Sequence, residues 1–101
     1  MGKLVRDGIP DLIRAEGQEP VVQVLDATRY LDALLEKIVE EAEELRRAAP
    51  EERLEEMADV YEVLRSLASN LGISLQQVSE AADAKNAARG GFAGRFWLEG
   101  S

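Results

Sequence analysis

Residues 32–62 read DALLEKIVEEAEELRRAAPEERLEEMADVYE, and this stretch decides the fold. Apolar residues recur every three or four positions on both sides of Pro50, which is the spacing of an amphipathic helix. The short connection at the proline favours two antiparallel helices. Carboxylates are mirrored about this turn at six and nine residues from the proline: Glu44 with Glu56, and Glu41 with Asp59. Each pair should lie at one height, so the hairpin predicts a cluster of negative charge that requires a cation.

The composition restricts the chemistry that such a cluster can perform. The chain of 101 residues contains no cysteine and no histidine, which excludes disulfides, thiolate nucleophiles and imidazole bases. Any metal ion must be held by oxygen atoms, and carboxylate ligands suit Mg²⁺ first, with Mn²⁺ also possible. The net charge of -8 argues against binding nucleic acid, because that affinity depends on Lys and Arg at the phosphates.

The chain shows no sign of a membrane or secretory segment. No apolar run approaches the roughly 20 residues that span a bilayer. Residues 1–6 lack the apolar centre of a signal peptide. We therefore expect a cytoplasmic protein without membrane contact.

The fold predicted from these patterns is all-α. It is a single domain over residues 1–101, with an N-terminal arm (1–26), a helical core (27–89) and a C-terminal tail (90–101). We expect three main helices in an antiparallel bundle, over residues 27–49, 50–71 and 75–89. Ser74 and Gln77 form a capping box for the third helix. Because so small a domain buries little surface, homodimerisation would complete the bundle.

Two shorter elements are expected in the arm. Pro10 suits the first turn of a helix that continues to about Arg14 and is closed by Gly17. The β-branched run over residues 21–25 predicts a short strand.

The helical pattern divides the glutamates into inward and outward sets. At about 100° per residue, Glu41 lies at the edge of the apolar stripe of the first long helix, and Glu44 lies just beyond it. Glu56 and Asp59 align with an apolar strip of the second helix, where uncompensated charge would be costly. The four inward acids are the predicted metal ligands: Glu41, Glu44, Glu56 and Asp59. Glu40 points away from the stripe, and most other acids of the hairpin have the solvated positions usual in Glu-rich helices.

Basic residues near the end of the chain are candidates for binding an anion. Lys85 and Arg89 continue the predicted inward stripe of the third helix. Lys85 and Asp59 are each thirteen residues from Gly72, so we expect the basic end of this helix to face the acids. A structural salt bridge would explain both cations about as well as phosphate binding.

Four segments of the chain resemble a known superfamily. They are KLVRDGIPDLI (3–13), VEEAEEL (39–45), EEMADVYEVL (55–64) and KNAARGGFAGRFWL (85–98). Together they are similar to the MazG-like, all-α nucleoside triphosphate pyrophosphohydrolases, particularly the small single-domain members. The resemblance covers nearly the whole chain.

The resemblance implies a Mg²⁺-dependent enzyme, active as a homodimer and possibly a tetramer. It would hydrolyse the anhydride between the α and β phosphates of a nucleotide. Its metal ligands would be the four inward acids, with Glu40 an auxiliary or water-positioning group beside Glu41. Lys85 and Arg89 match the basic positions of the superfamily near the phosphates. Three further cations of the two ends of the chain are candidates for binding substrate: Lys3, Arg6 and Arg95.

Two alternatives stay open at this point. Phosphoribosyl-ATP pyrophosphohydrolases carry similar acidic motifs, but the extra arm before Tyr30 favours a (d)NTP substrate. A nonenzymatic helical dimer that serves as an interaction module would also explain the apolar surface of the second helix.

Overall fold

A computed structural model describes residues 2–100 of the protein. It contains four α-helices, α1 (Ile9–Ala15), α2 (Ala27–Arg47), α3 (Arg53–Asn70) and α4 (Leu75–Arg89), and a 3₁₀ turn at Pro50–Glu52. The all-α prediction is therefore confirmed for this part of the chain. None of these helices is long and apolar enough to cross a membrane.

The predicted strand at residues 21–25 is wrong. This segment is irregular, and the side chains of Val21 and Val24 are 100% and 99% exposed. A strand is stabilised by its partner in a sheet, and none lies beside this segment within residues 2–100. The short helix α1, by contrast, forms as expected and is followed by Gly17 at a φ of +88°.

Local signals determine where the hairpin helices begin and end. The Asp26 carboxylate accepts a hydrogen bond of 2.9 Å from the backbone N–H of Arg29, which caps α2. This bond and one from the Arg29 side chain hold the pKa of Asp26 below its usual value. The helix ends at Arg47, two residues earlier than predicted. Ala49 has an extended backbone with a ψ of 154°, because a residue that precedes proline is disfavoured in the helical region.

The core lies between α2 and α3. Leu34 is 2% exposed and packs with Val63 and Leu67, and Ala68 of α3 is also buried. Partly buried side chains surround this cluster: Leu4, Tyr30, Leu31 and Ile38. The apolar stripe of α2 thus faces the strip of α3 that carries Val63 and Leu67.

The third main helix packs less than expected. Ser74 and Gln77 form the predicted capping box, yet only Leu75 and Val78 of α4 are even partly buried. The inward stripe predicted for this helix is wrong beyond Val78, since Lys85 and Arg89 are exposed. Alanines and charged side chains offer little apolar area to bury, so nothing draws this end of α4 onto the hairpin.

Several large apolar side chains remain exposed. On α3, Leu54, Met57 and Tyr61 are 78%, 57% and 50% exposed, so the helix is covered on one side only. The C-terminal tail exposes its aromatic side chains almost completely: Phe92, Phe96 and Trp97. A homodimer of the kind expected from the sequence would cover surfaces of this type.

Candidate metal centre

Three carboxylates converge between the C-terminal half of α2 and the first turns of α3. Glu41 comes from α2, and Glu56 and Asp59 come from successive turns of α3. One oxygen of each lies within 4.8 Å of an oxygen of the other two. The predicted height match between Glu41 and Asp59 is therefore reproduced. We call these three residues the carboxylate cluster.

The cluster is short of hydrogen-bond donors. Glu41 is buried, and its Oε1 lies 3.4 Å from Nζ of Lys37, one turn earlier on α2. The other oxygen, Oε2, is buried and accepts no hydrogen bond from any residue of 2–100, and the same is true of Oε2 of Glu56. Buried carboxylate oxygens without partners are costly. A hard cation such as Mg²⁺ or Mn²⁺ would compensate them, so this donor set fits a divalent metal.

Electrostatic repulsion within the cluster is evident at Glu56. Loss of contact with water raises the pKa of this carboxyl above its usual value. The negative charges of Glu44, Asp59 and Glu41 raise this pKa further. A neighbouring cation would reverse this shift, because it favours the ionised form.

The other acids predicted for the site lie outside the cluster. Glu44 is exposed, although its charge is close enough to affect Glu56. Glu40 is also exposed, as its position on the helix predicted. Glu43 forms ion pairs with Arg46 and Arg47 instead.

A cleft of about 600 Å³ runs beside the cluster. The N-terminal arm forms one wall, and α2 and α3 form the other. Three cations line it: Lys3, Arg6 and Lys37. Leu4, Tyr30, Leu34 and Val63 add an apolar surface, while Glu41 and Asp59 expose the cluster to the cleft. Asp7 and Glu62 also line the cleft, which thus combines acidic groups, three cations and an apolar wall.

Arg6 makes the most direct contact with the cluster. Its Nη2 donates a hydrogen bond of 2.6 Å to Oδ1 of Asp59. This bond raises the pKa of the Arg6 guanidinium above its usual value. Arg6 is a substrate-binding candidate from the sequence, but no spacing in the sequence pairs it with Asp59. Lys37 was not predicted as a site residue, although its spacing of four residues from Glu41 is typical of a helical ion pair.

The cations near the C-terminus lie apart from these contacts. Lys85, Arg89 and Arg95 are exposed, and none of them takes part in an ion pair within residues 2–100. The expected meeting of the basic end of α4 with the acids does not occur among the described contacts.

Comparison with known proteins assigns the chain to a family. A family model described as phosphoribosyl-ATP pyrophosphohydrolase matches residues 8–86 of the chain. The chain belongs to this family. The phosphoribosyl-ATP pyrophosphohydrolase family is part of the MazG-like, all-α superfamily, so the resemblance drawn from the sequence is confirmed.

One relative is also similar to part of the chain. An uncharacterized protein of Mycolicibacterium smegmatis (strain ATCC 700084 / mc(2)155) is 52% identical over 48 residues, or 48% of this chain and 49% of that protein. The match spans about half the length of that relative. No solved structure matches the chain significantly.

The family match divides the site into two parts. The carboxylate cluster lies within the matched residues 8–86, and enzymes of the phosphoribosyl-ATP pyrophosphohydrolase family typically depend on a metal. Lys3 and Arg6 precede the matched segment, and Arg89 and Arg95 follow it. The cluster is therefore in the part of the chain that the family model describes, whereas Arg6, which contacts the cluster, lies before it.

Proposed function

We propose that the protein is a metal-dependent nucleotide pyrophosphohydrolase. It cleaves the anhydride between the α and β phosphates of a (d)NTP or a related nucleotide and releases the monophosphate and pyrophosphate. The observation that carries this proposal is the carboxylate cluster, with its unpartnered buried oxygens, at the wall of a cleft that also carries three cations. An acidic cluster without a metal would repel a polyphosphate, whereas the same cluster holding Mg²⁺ would attract one.

Each part of the cleft has a role in this reaction. Glu41, Glu56 and Asp59 would hold Mg²⁺ or Mn²⁺, which when bound screens phosphate charge and lowers the pKa of an attacking water. Lys37 and Lys3 line the cleft and would bind phosphate oxygens as point charges. The apolar wall would take the nucleoside and exclude water from one side of the phosphates.

Five predicted site residues lie outside the carboxylate cluster and do not line the cleft, so they would act in other ways. Glu44 would support the metal through a water molecule, and Glu40 would orient water or act on a second ion. Lys85, Arg89 and Arg95 are exposed in the single chain. As substrate contacts they would act in the site of a second subunit.

Association into a homodimer, and possibly a tetramer, is part of the proposal. The accessible surface is 8855 Å², whereas a compact monomer of this mass exposes about 5,700 Å². The radius of gyration is 17.5 Å, against about 13 Å for a compact domain of this length. The open face of α3 and the aromatic tail account for exposed apolar area that a second copy would cover. Sedimentation equilibrium tests this, and a strictly monomeric protein at micromolar concentration would contradict it.

A panel of nucleotides tests the enzymatic proposal. NTPs, dNTPs and phosphoribosyl-ATP are each incubated with Mg²⁺ or Mn²⁺, and pyrophosphate release is measured. We expect turnover with metal and none after chelation. If no nucleotide releases pyrophosphate and no metal binds, the protein is better explained as a nonenzymatic helical dimer.

Phosphoribosyl-ATP is the second candidate substrate, and the description of the matching family favours it. It also has an α–β phosphoanhydride, so the same cluster would serve. The ranking follows from the arm before Tyr30, whose residues 3–7 line the cleft together with Tyr30. Preference for phosphoribosyl-ATP in competition with every (d)NTP would reverse that ranking. We place the enzyme in the cytoplasm, where these nucleotides occur.

A further inference from the structure

The Arg6–Asp59 contact joins two parts of the chain that are 53 residues apart in sequence. Asp59 belongs to the carboxylate cluster, and Arg6 belongs to the first part of the arm, which precedes the family match at residue 8. The hydrogen bond of 2.6 Å is also shorter than the 3.4 Å contact between Lys37 and Glu41. The most direct counter-charge to the cluster therefore comes from the arm.

The arm is anchored on both sides of Arg6. Leu4 packs against the core, and Val5 and Ile9 are partly buried. A turn follows Arg6, in which the backbone N–H of Ile9 donates to the carbonyl oxygen of Arg6 at 3.0 Å. The backbone thus holds the guanidinium next to Asp59, although its side chain is 59% exposed and free to leave the carboxylate.

A guanidinium and a divalent metal ion bound to the same Asp59 carboxylate repel each other. A magnesium ion would lie about 2.1 Å from a carboxylate oxygen, and Arg6 lies 2.6 Å from Oδ1 of the same carboxyl group. The two cations would then be only a few ångströms apart. Each also withdraws electron density from the oxygens that the other needs. Repulsion between the two cations therefore weakens each contact when the other is made.

We propose that Arg6 is an internal counter-cation of the metal centre, which competes with the metal for Asp59 and is released into the cleft when the ion binds. The proposal rests on the metal site of the proposed function. Because Leu4 and Ile9 remain anchored, the released guanidinium stays at the wall of the cleft, where it presents its fork of donors to a phosphate. Loading of the metal and presentation of a phosphate-binding group are then one event.

Metal titration without nucleotide tests the competition. Mn²⁺ is titrated into the wild type, Arg6→Gln and Lys3→Gln, with binding followed by calorimetry. Lys3→Gln is the matched control, because it removes the same charge from the same cleft but no ion pair within residues 2–100. Arg6→Gln should bind Mn²⁺ about twofold to tenfold more tightly than the wild type. Lys3→Gln should differ from the wild type by less than about twofold.

A spectroscopic readout follows the side chain itself. The ¹⁵N–¹H signal of Arg6 Nε should move towards the position of a solvated arginine as diamagnetic Mg²⁺ is added. Mg²⁺ is the ion used, since it does not broaden nearby signals. Arg6→Lys retains the charge with a single donor group and should bind Mn²⁺ with an affinity between those of the wild type and Arg6→Gln. Circular dichroism verifies that each variant is folded.

The outcomes separate this proposal from the proposed function. If the wild type binds metal and Arg6→Gln binds it equally or more weakly, the competition is overturned while the metal site stands. Equal gains in Arg6→Gln and Lys3→Gln would also overturn it, since the effect would be one of overall charge. If no variant binds metal, the metal site and the competition fail together. Detectable metal binding by Arg6→Gln, with none by the wild type or Lys3→Gln, would support the competition.

Discussion

Asp59 allows the metal centre to be tested with little damage to the fold. Asp59→Asn preserves the shape of the side chain and removes one charge, with two opposing effects on the free energy of unfolding. The ion pair with Arg6 joins side chains that are 59% and 37% exposed, so its loss costs at most about 1 kcal/mol. Repulsion from the Glu41 carboxylate, within 4.8 Å, is also relieved, and it amounts to about 0.9 kcal/mol in water at that distance. The net change should be within about 1 kcal/mol, or roughly 8 °C in Tm at most.

In Asp59→Asn, the stabilisation produced by bound metal should change far more than the stability of the metal-free protein. A ligand at one hundred times its Kd stabilises a protein by about 2.7 kcal/mol. For a domain of this size that raises the Tm by more than about 10 °C. In Asp59→Asn the cluster retains only two of its three carboxylates, so we expect this increase to be lost, together with pyrophosphate release.

The assay is thermal unfolding by circular dichroism, with chelator and with saturating Mn²⁺, combined with the nucleotide panel. Glu55→Gln is the control, because it removes the same charge from an exposed position on α3 outside the cluster. The control should retain both the metal-induced rise in Tm and turnover. The reasoning is refuted if Asp59→Asn also retains them. A loss of more than about 3 kcal/mol with chelator would instead assign Asp59 a structural role.

Two further predictions concern the pH dependence of stability and the core. The pKa of Glu56 is raised in the folded protein, so the ionised group lowers stability as pH rises above its ordinary pKa of 4.5. With chelator present, Glu56→Gln should therefore be more stable than the wild type at pH 7 and lose that advantage below pH 4.5, as urea unfolding at both pH values would show. Leu34 is 2% exposed, and Leu34→Ala should lose about 2–5 kcal/mol in the same assay. Leu12→Ala, at a site 62% exposed, should change stability by less than about 0.5 kcal/mol.

The sequence predicted the helices well because their limits depend on local chemistry. Asp26 caps α2, Pro50 begins the 3₁₀ turn that precedes α3, and the Ser74–Gln77 box starts α4. Each signal acts over three or four residues and can be recognised without knowing the rest of the fold. The strand at residues 21–25 was wrong because β-branched residues favour a strand only when another strand is available to pair with it.

The candidate site was predictable in part, for a geometric reason. Helical spacing relates Glu41 to Asp59 across one short turn, so the cluster followed from counting residues. Glu44 lies three residues from Glu41 and therefore about 60° around the helix, which is enough to leave it exposed. The bond between Arg6 and Asp59 follows no periodic pattern, since it depends on how the arm packs on the core. The position of α4 likewise depends on tertiary contacts, which no local signal within the helix specifies.

The metal centre and the core occupy the same stretch of the α2–α3 hairpin, and this has a consequence for the proposed dimer. Glu41 is buried beside a core built around Leu34, Val63 and Leu67. A core of that size gives the hairpin little rigidity of its own, and any separation of the helices would spread the carboxylates beyond the reach of one ion. A second copy that covers the open face of α3 would hold the helices at their binding distance. Dimerisation and metal binding would then stabilise the same arrangement and, by linkage, strengthen each other.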